Sequence, residues 1–338
     1  MAHNKTNIDI IESIAATWHG LETRVDEGVL TLDNCNLRKF DIAKRPLHRL
    51  LNGEFIATDT CELYCTDDES IVVGQPVNCE TYGLVTNKGW LDMIAEAISG
   101  VRGAVVATVG SVEARNKVFV SIKLKELEAF KAAGREFLPY LNFGNGFDKQ
   151  SVVYSCLSTF CTVCSNTNRA NLAIAKGDKT VPVNCVIRHT KNAPLRITNM
   201  SELVDGFLGA AAEFKATMDT LADKPMNEGN ARNFFAGLLS DGKKEEISTR
   251  RLNQVNRLTE LFLSGRGNNG DDRSDAYQAV TEYATHESSG NVSPMRQIVS
   301  SEFGAAATLK ARAINALSVD QTVQAFSQVG EFNLATAN

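Results

Sequence analysis

Apolar and polar residues alternate most regularly in one short segment that follows residue 117. Val118, Val120, Ile122 and Leu124 occupy every second position there, between Phe119, Ser121 and Lys123. A period of two is typical of a strand with one buried face. The preceding apolar run, Val105 to Val112, is separated from this segment by EARNK. The pattern therefore predicts a β-hairpin with a basic tip.

A second pair of extended segments comes next along the chain. The runs LPYLNF and SVVYSCLSTFCTVCS are separated by GNGFDKQ, whose Asn-Gly and Gly residues accept the positive φ that a reversal demands. The following segment, SNTNRANLAIAKG, opens with Ser165, Asn166 and Thr167, whose side chains suit a helix cap. We therefore expect a helix to begin near Asn166, directly after a strand, and to end at Gly177.

The remaining segments favour short mixed elements before this region and helices after it. IVVGQP is typical of an extended segment and NKGWLDMIAEAIS of a helix. After Thr198 the apolar positions recur at three-and-four spacing, as in an amphipathic helix, at Val204, Phe207, Leu208, Ala211, Phe214, Met218 and Leu221. Four further helices are centred on ARNFFAGLL, RRLNQVNRLTELFL, DAYQAVTEYATHE and AAATLKARAINAL, and we expect the last dozen residues to be mobile.

These patterns together predict an α+β fold. It consists of antiparallel β-hairpins with a β-β-β-α type core and a helical C-terminal region. We divide the chain into an N-terminal α+β region at 1–100, a central sheet and helix with a basic groove at 101–200, and a helical region with a mobile tail at 201–338.

Composition narrows the class of protein. The chain has 338 residues, 43% of them hydrophobic and 22% charged, with a net charge of −5, which excludes the globally basic character of histones or ribosomal proteins. The first residues lack a cationic segment followed by an apolar one, and no apolar run approaches the length of a membrane span, so we expect neither secretion nor membrane spanning. The eight cysteines, among them Cys61, Cys65 and the pair Cys161 and Cys164, lack a disulfide or zinc spacing. We interpret them as reduced thiols in a cytoplasmic protein.

The charge is unevenly distributed along the chain. Residues 151–200 contain six Lys and Arg against one acidic residue, whereas the segments on either side are both acidic. Two interpretations explain such a block equally well: a solvated loop, and a groove that follows a phosphate backbone. We refer to it as the basic block.

If the groove interpretation holds, the phosphate contacts come from the basic block, from a helix N-terminus within it and from the first hairpin. The candidates are Arg115, Lys117, Lys123, Asn166, Thr167, Arg169, Lys176, Lys179, Arg188, His189, Lys191 and Arg196. For each of them taken singly, the alternative is an ordinary solubilising surface charge. Nearby aromatic residues that can stack on bases, or belong to the core, are Tyr140, Phe143, Tyr154 and Phe160.

Motifs for catalysis are weak. The G-x-x-x-x-G-K-[ST] loop is missing, which disfavours ATP-driven chemistry. Glu282 and His286 lie four residues apart on a predicted helix, where a surface pair explains them as well as acid–base chemistry or a metal. Asp271, Asp272 and Asp275 precede a helix, where acidic residues favour the N-terminal dipole and a cation site is the alternative. We therefore expect no enzyme activity, no cofactor and no bound metal.

Several motifs resemble those of the phage and plasmid-like protein family catalogued as domain of unknown function 932. WHGLETRV resembles the family's opening motif, and in ESIVVGQPVNCETYGLVTNKGWLDMI Tyr82 stands where the family has a tyrosine. VCSNT and IRHTKNA are similar to V-C-A-N-T and R-H-T-x-N-A, AYQAVTEYATH is similar to a later helix, and GAAATLKARAINAL fits the closing helix. In one departure, Cys161 replaces an arginine that relatives often carry, which removes a potential phosphate contact.

The order of two hairpins and a helix is also similar to the core of the phage single-strand annealing proteins, the superfamily of lambda Red-beta, RecT and Erf. That resemblance implies a basic groove for single-stranded DNA and ATP-independent rings or filaments. We therefore predict a phage or plasmid recombination protein that binds and anneals single-stranded DNA and forms homo-oligomers through its helices. The alternatives are a self-assembling structural protein without nucleic acid and a metal-dependent nuclease.

Overall fold

The computed structural model shows an α+β protein with two sheets and, among the described residues, seven helices. The structure describes residues 9–15, 17, 20–99, 101, 103–124, 130–149, 151–161, 167–169, 185–193, 203–288, 293, 296–297, 300–301 and 304–336. The predicted fold class, with antiparallel strands and a helical C-terminal region, is confirmed.

Most of the strands precede most of the helices in the chain. The strands are β1 (Ile11–Ser13), β2 (Thr23–Arg24), β3 (Ile42–Leu51), β4 (Glu54–Cys65), β5 (Val72–Asn78), β6 (Ala104–Val112), β7 (Lys117–Leu124), β8 (Phe130–Ala132), β9 (Arg135–Gly146), β10 (Val153–Cys161), β11 (Thr167–Arg169) and β12 (Cys185–Ile187). The helices are α1 (Asn87–Ser99), α2 (Leu203–Ala222), α3 (Glu228–Leu239), α4 (Thr249–Ser264), α5 (Arg273–Glu282), α6 (Ala305–Ser318) and α7 (Asp320–Ala335). A 3₁₀ turn at Asn36–Lys39 and a π-helical turn at Tyr283–Glu287 complete the elements.

The larger sheet has nine strands in the order β11-β10-β9-β7-β6-β1-β2, with β12 beside β10 and β8 beside β9. The predicted hairpin is confirmed as β6 and β7, which pair antiparallel from Ala104↔Leu124 to Val112↔Lys117. Val118, Val120 and Ile122 are fully buried, as their alternation predicts. The second predicted strand pair is confirmed as β9 and β10, which are neighbours in the sheet.

One predicted helix is replaced by a strand in its described part. Thr167–Arg169 form β11, which pairs antiparallel with Ser158–Phe160 of β10. The expected helix start near Asn166 is therefore wrong at these residues. Ser, Asn and Thr side chains favour turns as well as helix caps, so the capping signal did not discriminate between a helix and a strand.

The smaller sheet, β3-β4-β5, contains a long hairpin that the sequence patterns did not reveal. Strands β3 and β4 pair from Ile42↔Cys65 out to Leu51↔Glu54. Strand β5 pairs with β4 only as far as Thr60↔Asn78. Residues 47–57 consequently extend past the third strand as a two-stranded ribbon, which we call the arm.

A disulfide lies where the arm begins. Cys61 of β4 is bonded to Cys79, which follows β5 and is 18 residues away in sequence. The expectation of reduced thiols is therefore wrong for Cys61 and Cys79, because only the register of β4 and β5 shows that the two residues are adjacent. Cys35 and Cys65 are buried free thiols, as expected for structural cysteines. The side chains of Cys161 and Cys164 lie outside the described residues, and a cytoplasmic location stays a prediction.

Packing divides the chain into two compact units. Unit 1 comprises Met1–Glu126, Tyr140–Leu157 and Lys179–Leu208, and unit 2 comprises Leu127–Pro139, Ser158–Asp178 and Gly209–Asn338. The predicted regions at 1–100, 101–200 and 201–338 stay a prediction. Within the described ranges, none of the helices has both the length and the apolar character that a membrane span requires.

The helices of unit 2 bury their apolar faces within the unit. Phe214, Met218 and Leu221 of α2 are fully buried, and Phe214 meets Phe137 of β9 edge-to-face at 5.5 Å. The apolar face of α2 is thus buried within the unit at these residues, and self-association through the helices stays a prediction.

The C-terminal residues form a helix in place of the predicted mobile tail. Helix α7 packs closely against α3 because glycines lie at their crossing. A Cβ on Gly330 would lie 1.7 Å from the carbonyl oxygen of Asn233, and a Cβ on Gly237 would lie 2.0 Å from that of Phe326. The two backbones therefore approach more closely than any larger residue would allow.

Candidate nucleic-acid interface

The tip of the β6–β7 hairpin already holds carboxylates of the chain itself. Glu113, Ala114 and Arg115 all have positive φ, between 56° and 65°, so successive backbone amides point to one side. The carboxylate of Asp9 accepts hydrogen bonds from the amides of Ala114 and Arg115 at 3.0 and 2.9 Å. An anion-binding turn is present, but its anion is Asp9.

Arg115 is likewise engaged internally. Its Nη1 donates to both carboxylate oxygens of Asp67 at 2.9 Å, and its guanidinium lies 4.2 Å from the centre of the Phe40 ring. The residue is only 9% exposed. Arg115 is therefore held by Asp67 within the protein, and a contact between Arg115 and phosphate stays a prediction. Asp67 is distant in sequence, so its proximity is visible only in the fold.

Lys117 is also neutralised, whereas Lys123 lies at the far end of the same strand. The ammonium group of Lys117 lies 2.6 Å from Glu113 and 3.3 Å from Asp148. Lys123 pairs with Tyr140 across the sheet and is half-buried. Six residues of strand separate the two lysines by about 20 Å. The hairpin therefore does not present the compact basic tip that the sequence indicates.

The segment after β12 presents its bases to solvent. Ile187, the last residue of β12, pairs with Val153 of β10. The chain then forms an isolated bridge from Thr190 to Tyr82 and turns, with Ala193 fully buried. Arg188 and Lys191 on this segment are exposed, and neither has an ion pair with another described residue.

His189 anchors this segment. Its ring stacks on Tyr82, with centroids 5.1 Å apart and planes 13° apart. Nδ1 lies 3.2 Å from the carbonyl oxygen of Gly83 and therefore donates to it, because a carbonyl can only accept. Burial lowers the pKa of His189, so the neutral ring is favoured, and it also raises the pKa of the Tyr82 hydroxyl. His189 therefore packs in the fold with its neutral form favoured, and its contact with phosphate stays a prediction.

The loop after β9 places Asp148 close to this pair and also contains Lys149, which sequence reasoning missed. Asp148 lies close enough to raise the pKa of both His189 and Tyr82 through its negative charge. The next residue, Lys149, is in the left-handed region at φ 66° and its ammonium group donates to the carbonyl of Pro76. The loop was predicted only as a chain reversal, so its sequence gave no reason to include Lys149 among the basic candidates.

Other candidates lie outside the described residues. These are Asn166, Lys176, Lys179 and Arg196, together with the side chains of Thr167, Arg169 and Phe160. Among the aromatic candidates, Phe143 is fully buried and Tyr154 packs its ring over Gly144, which supports the core interpretation of both. Burial also raises the pKa of Tyr140.

The acidic cluster at the start of α5 is a structural centre. Asp272 caps the helix by accepting from the amide of Asp275, in agreement with the dipole interpretation. Asp275 forms an ion pair with the buried Arg135 through Oδ1. Its Oδ2 accepts from the amides of Asn269, Gly270 and Asp271 at 3.0, 2.8 and 3.3 Å. Both oxygens of Asp275 are therefore already used by protein donors, which weighs against a cation site here.

The predicted pair Glu282 and His286 occurs where α5 widens into the π-helical turn. Glu282 accepts from the amide of Arg266 at 3.2 Å, and burial raises the pKa of its carboxyl group. Beside the turn, an open groove of about 610 Å³ is lined by residues of α4 and by Tyr283, to whose hydroxyl Gln254 of α4 donates at 3.0 Å. Arg257 closes one side of this groove with two 2.7 Å hydrogen bonds to Glu287.

The described site thus defines an α+β protein in which a stacked Tyr82–His189 pair holds an exposed basic segment at a sheet edge. The sequence profile of the family described as Domain of unknown function (DUF932) matches residues 77–325, and the chain belongs to this family. The match includes the Tyr82 and R-H-T motifs but not WHGLETRV. No curated protein and no solved structure matches the chain.

Proposed function

We propose that the protein is a DNA-metabolism protein that binds single-stranded DNA without ATP and promotes strand annealing. The phosphate-contacting surface is the segment from Arg188 to Lys191. This assignment keeps the groove in the basic block and removes the hairpin tip from it.

The observation that carries the proposal is the difference between two groups of bases. Arg115 and Lys117 are held by carboxylates of the chain, whereas Arg188 and Lys191 are exposed and have no ion pair within the described residues. A phosphate that approaches Arg188 or Lys191 has no carboxylate of the described residues to displace. The free energy of binding then comes from the release of counterions from the DNA backbone.

The anchoring of the segment supports the same surface. The stacked ring of His189 and the buried Ala193 fix the backbone on either side of Lys191, so the two cations are presented from an ordered turn. An ordered presentation reduces the entropy lost when a ligand is bound. Contacts with phosphate alone do not distinguish one base sequence from another. A protein that anneals strands of any sequence requires this property.

A second candidate is a self-assembling structural protein without nucleic acid. The exposed apolar residues of the arm favour it, since such residues mark protein contacts. The two candidates differ in one measurable property, which is affinity for DNA at low salt.

The test is fluorescence anisotropy of labelled single-stranded and double-stranded oligonucleotides, without ATP, with and without magnesium, across a salt series. We expect binding to the single strand that weakens steeply as salt rises. The double substitution Arg188→Ala/Lys191→Ala removes two phosphate contacts and should reduce the slope of log K against log salt by about 1.4, since each contact on a single strand contributes about 0.7.

The matched control is Lys88→Ala/Lys243→Ala, which removes the same charge from two exposed lysines elsewhere. It should leave the slope unchanged, and neither double variant should shift the free energy of unfolding by more than about 0.5 kcal/mol. Binding that is insensitive to Arg188→Ala/Lys191→Ala, or equally reduced in the control, contradicts the assignment. Absence of binding at low salt favours the structural protein.

A further inference from the structure

The disulfide between Cys61 and Cys79 closes one end of the turn that carries Tyr82. Cys61 lies on β4 and is buried, whereas Cys79 follows β5 and is half-buried. Among the described side chains, the remaining cysteines, Cys35 and Cys65, are buried free thiols. The bond is therefore a single crosslink within the described part of the chain and not one member of a disulfide framework. A single crosslink that solvent can reach is typical of a labile, regulatory disulfide.

The other interactions of this turn are hydrogen bonds. We call residues 78–83 the Tyr82 turn. The side chain of Asn78 accepts two amide hydrogen bonds from within it, at 3.0 and 2.9 Å. The amide of Cys79 donates to the carbonyl of Asp59 at 2.8 Å, and its carbonyl accepts from the ammonium group of Lys44 at 2.8 Å. The disulfide thus adds the covalent link to a turn that is otherwise held by polar contacts.

The basic segment, residues 188–191, is attached to this turn. The amide of Gly83 donates to the carbonyl of His189 at 3.3 Å, and the His189 ring donates to the carbonyl of Gly83 at 3.2 Å. The ring of Tyr82 stacks on that of His189, and the backbone of Gly146 also forms a hydrogen bond with the histidine. Among the described residues, most contacts that fix the basic segment therefore end on the Tyr82 turn.

We propose that the Cys61–Cys79 disulfide is a redox switch that keeps the basic segment ordered and releases it on reduction. Cys79 precedes Tyr82 by three residues, so loss of the crosslink increases the number of conformations open to the Tyr82 turn. The hydrogen bonds that remain contribute little net stability, because water replaces each of them. Reduction therefore favours opening of the contact between Tyr82 and His189. The consequence for DNA binding rests on the proposed function.

The reductant is a dithiol, and the exchange is balanced. One thiolate of the dithiol attacks the sulfur of Cys79, the more exposed of the two residues, and the disulfide bond breaks. Cys61 leaves as a thiolate and takes up a proton. The second thiolate of the dithiol then attacks the mixed disulfide, and Cys79 is released and protonated in turn. Two electrons and two protons pass to the protein, the dithiol becomes a disulfide, and a disulfide oxidant reverses the steps.

Hydrogen–deuterium exchange of the full chain, without DNA, tests the switch directly. The protein is measured in its oxidised form, after treatment with dithiothreitol, and after reoxidation. Amides of the Tyr82 turn and of residues 187–193 should exchange at least about 10-fold faster in the reduced protein, because local opening becomes more frequent. Reoxidation should restore the slow rates.

Two variants separate this effect from others. Cys61→Ser/Cys79→Ser should exchange rapidly at residues 187–193 with and without dithiothreitol, which excludes an action of the reductant on other thiols. Ile122→Ala is the matched control, since it lowers the stability of unit 1 by loss of a fully buried side chain but leaves the disulfide intact. It should exchange at residues 187–193 like the oxidised wild type. If the serine variant fails to fold, the reduced wild type provides the same comparison.

The affinity for single-stranded DNA in both redox states gives the functional consequence. Reduction should weaken binding at least about 5-fold, because binding must then order the two cationic side chains, and Arg188→Ala/Lys191→Ala should lose this redox dependence. Equal exchange at residues 187–193 in the oxidised and reduced protein overturns the switch. So does fast exchange in Ile122→Ala, and so does DNA binding that is equally strong in both states. Absence of DNA binding in both states contradicts the proposed function alone, because the exchange rates then decide on the switch.

Discussion

The substitution Asp275→Asn should strongly destabilise unit 2. Asp275 is 1% exposed and its partner Arg135 is 5% exposed, so the ion pair is almost completely removed from water. The asparagine retains the shape and one oxygen but leaves the arginine with an uncompensated buried charge. Removal of one member of a buried pair costs about 3–5 kcal/mol. We expect a loss of about 4 kcal/mol in the free energy of unfolding.

Urea denaturation with two probes localises this effect. The helices α3 to α7 belong to unit 2, so far-UV circular dichroism reports mainly on it, whereas the two tryptophans, Trp18 and Trp90, lie in unit 1. With a slope of about 2 kcal/mol per molar urea, the dichroism midpoint should fall by about 2 M. The double variant Arg135→Met/Asp275→Leu should lose less free energy of unfolding than the sum of the losses in the two single variants, since it leaves no buried charge.

The control is the neighbouring substitution Asp271→Asn, which changes an exposed carboxylate of the same cluster. It should alter the free energy of unfolding by less than about 0.5 kcal/mol. If the free energy of unfolding of Asp275→Asn stays within about 1 kcal/mol of the wild-type value, the inference that the Arg135–Asp275 pair organises the start of α5 is refuted.

Two further substitutions test other parts of the fold. Gly330→Ala should cost about 3 kcal/mol, because its Cβ would lie 1.7 Å from a backbone oxygen, whereas Gly209→Ala, with no atom within 4 Å, should be neutral or slightly stabilising; equal dichroism midpoints for the two would contradict the close α3–α7 crossing. Cys61→Ser/Cys79→Ser should destabilise unit 1 by about 3 kcal/mol, the loop-closure entropy of an 18-residue crosslink, and reductant added to the wild type should lower the tryptophan-monitored midpoint equally. A midpoint that ignores reductant would show that this loop is not restrained by the bond.

The sequence predicted those elements whose burial is one-sided. One face of β7 is buried and the other is half-exposed, so the alternation of apolar and polar residues was visible in the sequence. The apolar stripe of α2 around Phe214 was visible for the same reason. The arm was missed because residues 47–57 are largely exposed on both faces, which erases the alternation. Its only local signal was Asn52-Gly53, whose φ values of 53° and 85° suit a tight hairpin turn.

The candidate site was predictable in part for a different reason. Exposure of Arg188 and Lys191 agrees with their charge, and the motifs around Tyr82 and His189 were both recognisable in sequence. The role of Arg115 was not predictable, because its environment depends on Asp9 and Asp67. A basic residue in a turn has the same sequence signal whether its counter-ion is a phosphate or a distant aspartate.

The disulfide at the base of the arm also has a mechanical consequence. The bond links two cysteines that are 18 residues apart in sequence, and Cys79 is followed closely by Tyr82. The ammonium group of Lys44, on the other strand of the hairpin, donates to the carbonyls of both Cys79 and Tyr82. A displacement of the tip is therefore transmitted through one disulfide and two hydrogen bonds to Tyr82, on which His189 stacks. The arm and the basic segment are thus mechanically coupled.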